Sequence, residues 1–288
     1  MTSRIETPSG KKAADENFPV GSWLITPLLR PHVHAFYLFA RAADDIADNP
    51  GLAAADKLRR LDALAAGLEG RRRDDAVAVS VRMRASLAAT GVDPRHCHDL
   101  LAAFRQDATK RRYADWGELM AYCGRSASPV GRYLLDLHGE DQAWFALSDP
   151  LCDALQVINH LQDCGQDYRT LDRVYLPLDW LAEAGIAPRD LGSGRAGAGL
   201  RRVLDHCLDG TEALLARSRL LPRRLRSRRL ALESAVIQMI AERLVRRLRV
   251  GDPLARRVAL SRPAFLLAAL RGLARMTRPP QAGPVGAP

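Results

Sequence analysis

Residues 40–49 read "ARAADDIADN" and place three aspartates within five positions, just behind an arginine. Like charges so close repel, and a helix gains nothing from them by itself. Positions three and four apart share one face of a helix. Tyr37, Arg41, Asp44 and Asp48 therefore form a stripe, with Asp45 beside it. Val33, Phe36, Ala40, Ala43 and Ala47 supply the packing face. The stretch predicts a helix over 31–48 whose acids serve something other than helix stability.

A second stretch, "DALQVINHLQDCGQD" at 153–167, repeats the arrangement. Gln156, Asn159, Asp163 and Asp167 fall on one line, and Leu155, Val157, Ile158 and Leu161 give apolar surface around it. One such stripe alone reads equally well as a solvated face. Two of them, each with amide or tyrosine groups in register and each in an otherwise apolar helix, predict carboxylates facing one another across a bundle. That arrangement is very unfavourable unless cations neutralise it. Hard oxygen donors on two sides suit Mg²⁺, which takes one or two carboxylates, several waters and phosphate oxygens. A diphosphate would complete the coordination, and Arg41 and Arg173 are the nearest guanidinium groups in sequence to grip it. For Arg41 an ordinary ion pair with Asp44 or Asp45 is the competing reading.

The rest of the chain also reads as helix. Ala, Leu and Arg dominate and no stretch alternates with period two. Helices are expected at 31–48, 53–69, 74–89, 94–105, 116–138, 142–165, 200–219, 227–249 and 253–273. Asp93-Pro94 and Asp252-Pro253 are read as helix starts. The expected fold class is all-α, one helical bundle over 15–275 with a central cavity, flanked by flexible termini at 1–14 and 276–288. Pro129 should interrupt its helix, and Gly131 should admit a close neighbour. "GSGRAG" at 192–197 matches a dinucleotide-loop spacing but lacks the strand and helix around it, so it reads as a connector.

The gross composition narrows the function. The 288 residues carry 43 Lys plus Arg against 33 Asp plus Glu, a formal charge of +10, which suits an anionic partner. The five cysteines form no CxxC pair, and with no leader-like segment they favour a reducing cytoplasm. No apolar run reaches the roughly 18 residues of a membrane span. The arginine-rich "RSRLLPRRLRSRRL" at 217–230 reads as a solvated face or as a surface for anionic lipid. It has no interleaved aromatics, so nucleic acid is not expected. His96-Cys97-His98 points its side chains in different directions and is a poor metal site.

These motifs together resemble the squalene/phytoene synthase family, all-helical isoprenoid synthases. The first family motif, DDxxD, matches Asp44-Asp45-Ile46-Ala47-Asp48. The second matches "ALQVINHLQDCGQD" followed by "DRVYLP" at 172–177. "ENFPVGSWLI" at 16–25 is similar to the phosphate-contacting lead-in, with Asn17 and Phe18 in its place. "RRYADWGELMAYCGRSASPVG" at 111–131 matches a middle segment. Two departures stand out: Gln162 and Gln166 replace the usual arginine and glutamate of the second motif. "ENFPV", "ARAADDIAD", "FRQDATKRRY" and "RSASPVGR" resemble the hopanoid-pathway branch of hydroxysqualene synthases, which ionise presqualene diphosphate and let water capture the rearranged cation.

The resemblance implies Mg²⁺ held by Asp44, Asp48, Asn159, Asp163 and Asp167, with Asp45 binding directly or orienting a metal-bound water. It implies Asn17, Phe18, Arg41, Gln156, Asn159, Arg173 and Tyr175 on the substrate, and Tyr37 and Tyr122 bordering the cation's path, where ring faces offer cation–π stabilisation. Phe18, Phe36 and Trp116 also read as plain core. Implied partners are a prenyl diphosphate (presqualene diphosphate), a presqualene diphosphate synthase, a hydroxysqualene reductase and an anionic membrane surface, with a cytoplasmic location at the membrane's inner face. The loss of positive charge at Gln162 argues against binding a second diphosphate. The alternatives are condensation of two prenyl diphosphates to presqualene diphosphate, dehydrosqualene or phytoene, and an inactive assembly factor of the same fold.

Overall fold

The computed structural model of the chain describes residues 25–277. Among these residues it contains twelve α-helices and no β-strand, only an isolated bridge between Arg112 and Val174. The first six helices are α1 (Arg30–Ala47), α2 (Ala54–Leu68), α3 (Ala78–Thr90), α4 (Arg95–Thr109), α5 (Trp116–Ser126) and α6 (Ser128–Leu137). The others are α7 (Phe145–Leu171), α8 (Leu178–Glu183), α9 (Ala198–Ser218), α10 (Leu221–Arg224), α11 (Arg228–Val250) and α12 (Arg262–Thr277). None is long and apolar enough to cross a membrane.

Helix ends follow local chemistry. Pro31 sits in the first turn of α1, where its missing N–H is harmless. Asp115 and Ser227 cap α5 and α11 by accepting from Glu118 and Leu230 N–H groups. Gly91, at φ 72°, ends α3 in the left-handed region. The expected interruption is present: the chain breaks at Ala127, and Pro129 falls in the first turn of α6.

Three expectations need correction. The helix expected over 142–165 runs on to Leu171, carries Pro150 inside it, and stops only where Asp172 turns left-handed at φ 50°. The helix expected from Asp252-Pro253 does not start there. The Asp252 carboxylate accepts from Leu254 and Ala255 N–H groups at 3.0 and 3.4 Å and from Ala196 N–H at 3.0 Å. Gln162 Nε2 donates to the Val258 carbonyl at 2.5 Å, so residues 253–261 lie as a strap across α7 before α12 begins. Finally, α12 continues to Thr277, two residues into the tail expected at 276–288. The termini expected at 1–14 and from 278 onward lie outside the described residues.

The apolar faces form two cores. One gathers Phe39, Ile46, Leu61, Leu64, Met83 and Leu101 from α1 to α4. The other gathers Val157, Ile158, Leu161, Leu208, Ile240 and Leu244 from α7, α9 and α11. Each such side chain contributes roughly 1.5–3 kcal/mol by burial. Helix α6 packs on both α4 and α7 and joins the halves. At that joint a Cβ on Gly131 would lie 2.3 Å from Ser148 Oγ and 2.6 Å from Cys152 Sγ, which is the close approach expected of it. Phe36 stacks on Tyr133 at 4.0 Å and Trp116 on Trp180 at 5.5 Å, so both serve the packing. His96 is buried and bonds Asp136 at 2.7 Å, a structural role.

Candidate active site

Helix α1 carries the first stripe. Its turn geometry brings Arg41 against two acids at once, Asp44 at 3.3 Å and Asp45 at 2.8 Å. Asp45 is buried and Asp44 half-buried. The ion pair weighed as the competing reading for Arg41 is therefore formed, and the same guanidinium sits within the acidic motif. Tyr37 lies one turn earlier, half-buried. Asp48 is the C-cap of α1, where the helix dipole disfavours a carboxylate. It is held there by a distant cation.

That cation is Arg173, in the segment after α7. Its backbone N–H donates to the Asp167 carbonyl at 3.2 Å, and the next residue's N–H donates to the Arg111 carbonyl at 2.9 Å. So fixed, its guanidinium reaches the Asp48 carboxylate at 2.8 Å, Tyr175 Oη at 3.1 Å and the Asp107 carbonyl at 3.0 Å. One arginine thus ties the end of the first acidic stripe to the end of the second. Beneath it, the Asp107 carboxylate accepts from Tyr122 Oη at 2.6 Å and Tyr175 Oη at 3.2 Å. Burial pushes Asp107 up to about 6, although Arg173 opposes the shift. Tyr122 is 2% exposed. Its hydroxyl belongs to this hydrogen-bonded group. His160 stacks on Tyr175 at 3.5 Å and is pushed down to about 3 by burial and by Arg173, so the ring is a neutral brace.

The second stripe lies on α7, with Gln156, Asn159, Asp163 and Asp167 all half-buried. Gln162 is buried and anchors the 253–261 strap described above. This placement sets Arg257 Nε 3.3 Å from the Asp163 carboxylate. The charge missing at position 162 is thereby supplied from another segment. Gln162 alone is consequently a weaker argument against a second diphosphate than its sequence context suggests.

Asn17 and Phe18 lie outside the described residues. Asp107, His160 and Arg257 join this group in the structure, and sequence reasoning missed them. A signal for Asp107 exists, since it follows Leu100, Ala103 and Phe104 along the buried face of α4, and an acid on an apolar face needs partners. No such signal marks Arg257, which arrives by the strap.

Among the described residues no three His, Cys, Asp or Glu side chains converge into a ready-made metal cage. The donor set nevertheless fits Mg²⁺: it is all oxygen, and that ion keeps water and phosphate ligands rather than demanding a protein cage. Arg41, Arg173 and Arg257 pair with four of the aspartates, Asp44, Asp45, Asp48 and Asp163.

The squalene/phytoene synthase family model matches residues 11–264. A curated relative from Rhodopseudomonas palustris, named hydroxysqualene synthase, is 49% identical over 93% of this chain and 91% of its own length. One from Sinorhizobium fredii with the same name is 43% identical over the same shares. The crystal structure of squalene synthase HpnC from Alicyclobacillus acidocaldarius superposes with a TM-score of 0.70 at 31% identity, covering 80% of this chain and 86% of that one. The family uses prenyl diphosphates and generally depends on divalent metal. The all-helical architecture and the two acid-bearing helices agree with these matches, and the chain belongs to the squalene/phytoene synthase family.

Proposed function

We propose that this chain is a hydroxysqualene synthase, one catalytic domain that ionises presqualene diphosphate and adds water to the rearranged cation. The observation that carries the reading is the likeness, over nearly the whole chain, to relatives of that name. The site supplies the matching chemistry. Bound Mg²⁺, held by Asp44, Asp48, Asn159, Asp163 and Asp167, would stabilise the charge developing on the leaving diphosphate. Arg41, Arg173 and Arg257 offer guanidinium forks to diphosphate oxygens, with Asn17 and Tyr175 as further donors. Tyr37 and Gln156 are assigned to the path of the prenyl chain, and Phe18 keeps that assignment from the sequence motif alone.

Water capture releases a proton. Tyr122 Oη takes it from the attacking water while passing its own to Asp107 Oδ2. Asp107, ionised above about pH 6, is the acceptor. No reductant enters this reaction. Its substrate comes from a presqualene diphosphate synthase, and its product goes to a hydroxysqualene reductase. An apolar product suits delivery at a membrane, and α12 exposes Leu266, Leu267 and Leu270 beside Arg262 and Arg271. We assign this face, together with the 217–230 arginines, to peripheral contact with anionic lipid.

The test is product analysis with purified protein, offering presqualene diphosphate and farnesyl diphosphate separately in labelled water. Presqualene diphosphate should give hydroxysqualene with label in the alcohol oxygen and no need for NADPH. Farnesyl diphosphate alone should give little product. Efficient synthesis of presqualene diphosphate, squalene or phytoene from farnesyl diphosphate would overturn the assignment and leave the family standing.

A further inference from the structure

Beside the end of α1 and the end of α7 opens a cleft of 270 Å³. Pro50 and Leu52 line it on one side, Lys57 from α2 forms another wall, and Arg111, Arg169 and Asp172 complete it. Its charges are unevenly matched. Asp172 takes both Arg111 at 3.0 Å and Arg112 at 2.5 Å, and Asp48 takes Arg173 at 2.8 Å. Among the described residues Lys57 and Arg169 form no ion pair with a carboxylate, although Asp48 and Asp107 lie near enough to act on the Lys57 ammonium. Lys57 is only 9% exposed, and its ammonium gives one hydrogen bond, to the Ala47 carbonyl at 2.7 Å. An ammonium has three protons to donate, and a buried charge is stable only when paired. With Asp107 beneath Arg173 counted, five cations surround three acids here, so the cleft has a local surplus of positive charge.

A small, multiply charged oxyanion fits that surplus. A prenyl chain does not, because the wall offers too little apolar surface to bury it. The cleft also adjoins Arg173 and Asp48, where the proposed reaction would release its leaving group. We infer that the cleft is a subsite for inorganic diphosphate, taken up by Lys57, Arg169 and Arg111 after it leaves the carboxylate-lined centre. The origin of the diphosphate rests on the proposed function; the existence of the subsite rests on the unpaired cations alone.

Calorimetric titration of the purified full chain with inorganic diphosphate in excess chelator removes the metal-mediated binding at the aspartate stripes, and Arg169→Glu then separates this subsite from the direct guanidinium contacts of the centre. Saturable binding is expected, weakened about tenfold or more by Arg169→Glu and unchanged by Asp163→Asn. Arg169 is exposed, so its replacement leaves the core intact. No binding in chelator, or equal affinity in wild type and Arg169→Glu, would overturn the subsite. A parallel arm offers phosphatidylglycerol vesicles. Vesicle binding that disappears in Arg169→Glu while free diphosphate fails to bind would also overturn it, in favour of a lipid headgroup. None of these readouts requires turnover, so failure to convert presqualene diphosphate is a separate result.

Discussion

Arg173 and Asp48 are 125 positions apart in sequence and meet at 2.8 Å, joining the two acid-bearing helices through one ion pair. Arg173 is 5% exposed, and Asp107 lies just beneath it. Removing one partner of a buried pair leaves an uncompensated charge, which typically costs about 3–5 kcal/mol. Arg173→Met should therefore lower the melting temperature by about 6 °C or more. Arg173→Lys should recover part of that loss, since it restores the charge but not the fork. Thermal unfolding of the two variants decides it; a shift within error for Arg173→Met would remove the bridging role.

Metal dependence follows from the carboxylates. Guanidinium groups hold Asp48 and Asp163 in place. Chelation should abolish turnover, and Asp48→Asn and Asp163→Asn should each reduce it by about two orders of magnitude or more. Mg²⁺ with diphosphate should raise the melting temperature by ligand linkage. Full activity in excess chelator would end the two-stripe mechanism.

The first stripe was legible because its geometry is local. Helical spacing alone brings Arg41 to Asp44 and Asp45, and the structure shows both contacts. The hub under Arg173 was not legible, because its partners come from α1, α4, α5 and the segment after α7. Spacing rules carry no information about such distant pairs. The failed helix start at Asp252-Pro253 has the same origin. Proline permits a first turn there, but Gln162, 96 positions away from Val258, holds the chain in another shape.

A paired glycine experiment tests how closely α12 seats on α11. A Cβ on Gly272 would lie 2.8 Å from both the Ala235 carbonyl oxygen and Val236 Cα. These are backbone atoms that cannot rotate away. Gly272→Ala should destabilise by about 1–3 kcal/mol. Gly124, inside α5, would meet nothing within 4 Å, so Gly124→Ala should stabilise by about 0.5–1 kcal/mol through helix propensity. Equal denaturation midpoints for the two variants would contradict the packing described.

The leucine face of α12 yields a sedimentation prediction. Leu266 is 60% exposed and Leu270 is 54% exposed, on the face opposite the α11 contact. Leu266→Glu with Leu270→Glu should reduce co-sedimentation with anionic vesicles while the protein remains folded, because both side chains already meet solvent. High salt should weaken wild-type binding through the arginines. Vesicle binding that is indifferent to both changes would place the contact elsewhere.

The last prediction concerns pH and the proton acceptor. Asp107 has its native pKa pushed up to about 6 by burial, against an ordinary value of 3.8. The native state thus binds more protons than the unfolded chain between those two values, and stability falls as pH rises through that window. The loss from this one group is on the order of 3 kcal/mol, complete above about pH 6. Asp107→Asn should flatten the stability profile between about pH 4 and 6. Activity should move the opposite way, because only the carboxylate form can take the proton passed by Tyr122. The rate at saturating substrate should climb through about pH 6 in the wild type. Asp107→Asn should be slow throughout and lack that limb, whereas Tyr122→Phe should be slow and leave Asp107 still titrating in the stability profile. If the rate of Asp107→Asn kept the wild-type pH dependence, the acceptor would have to be another group.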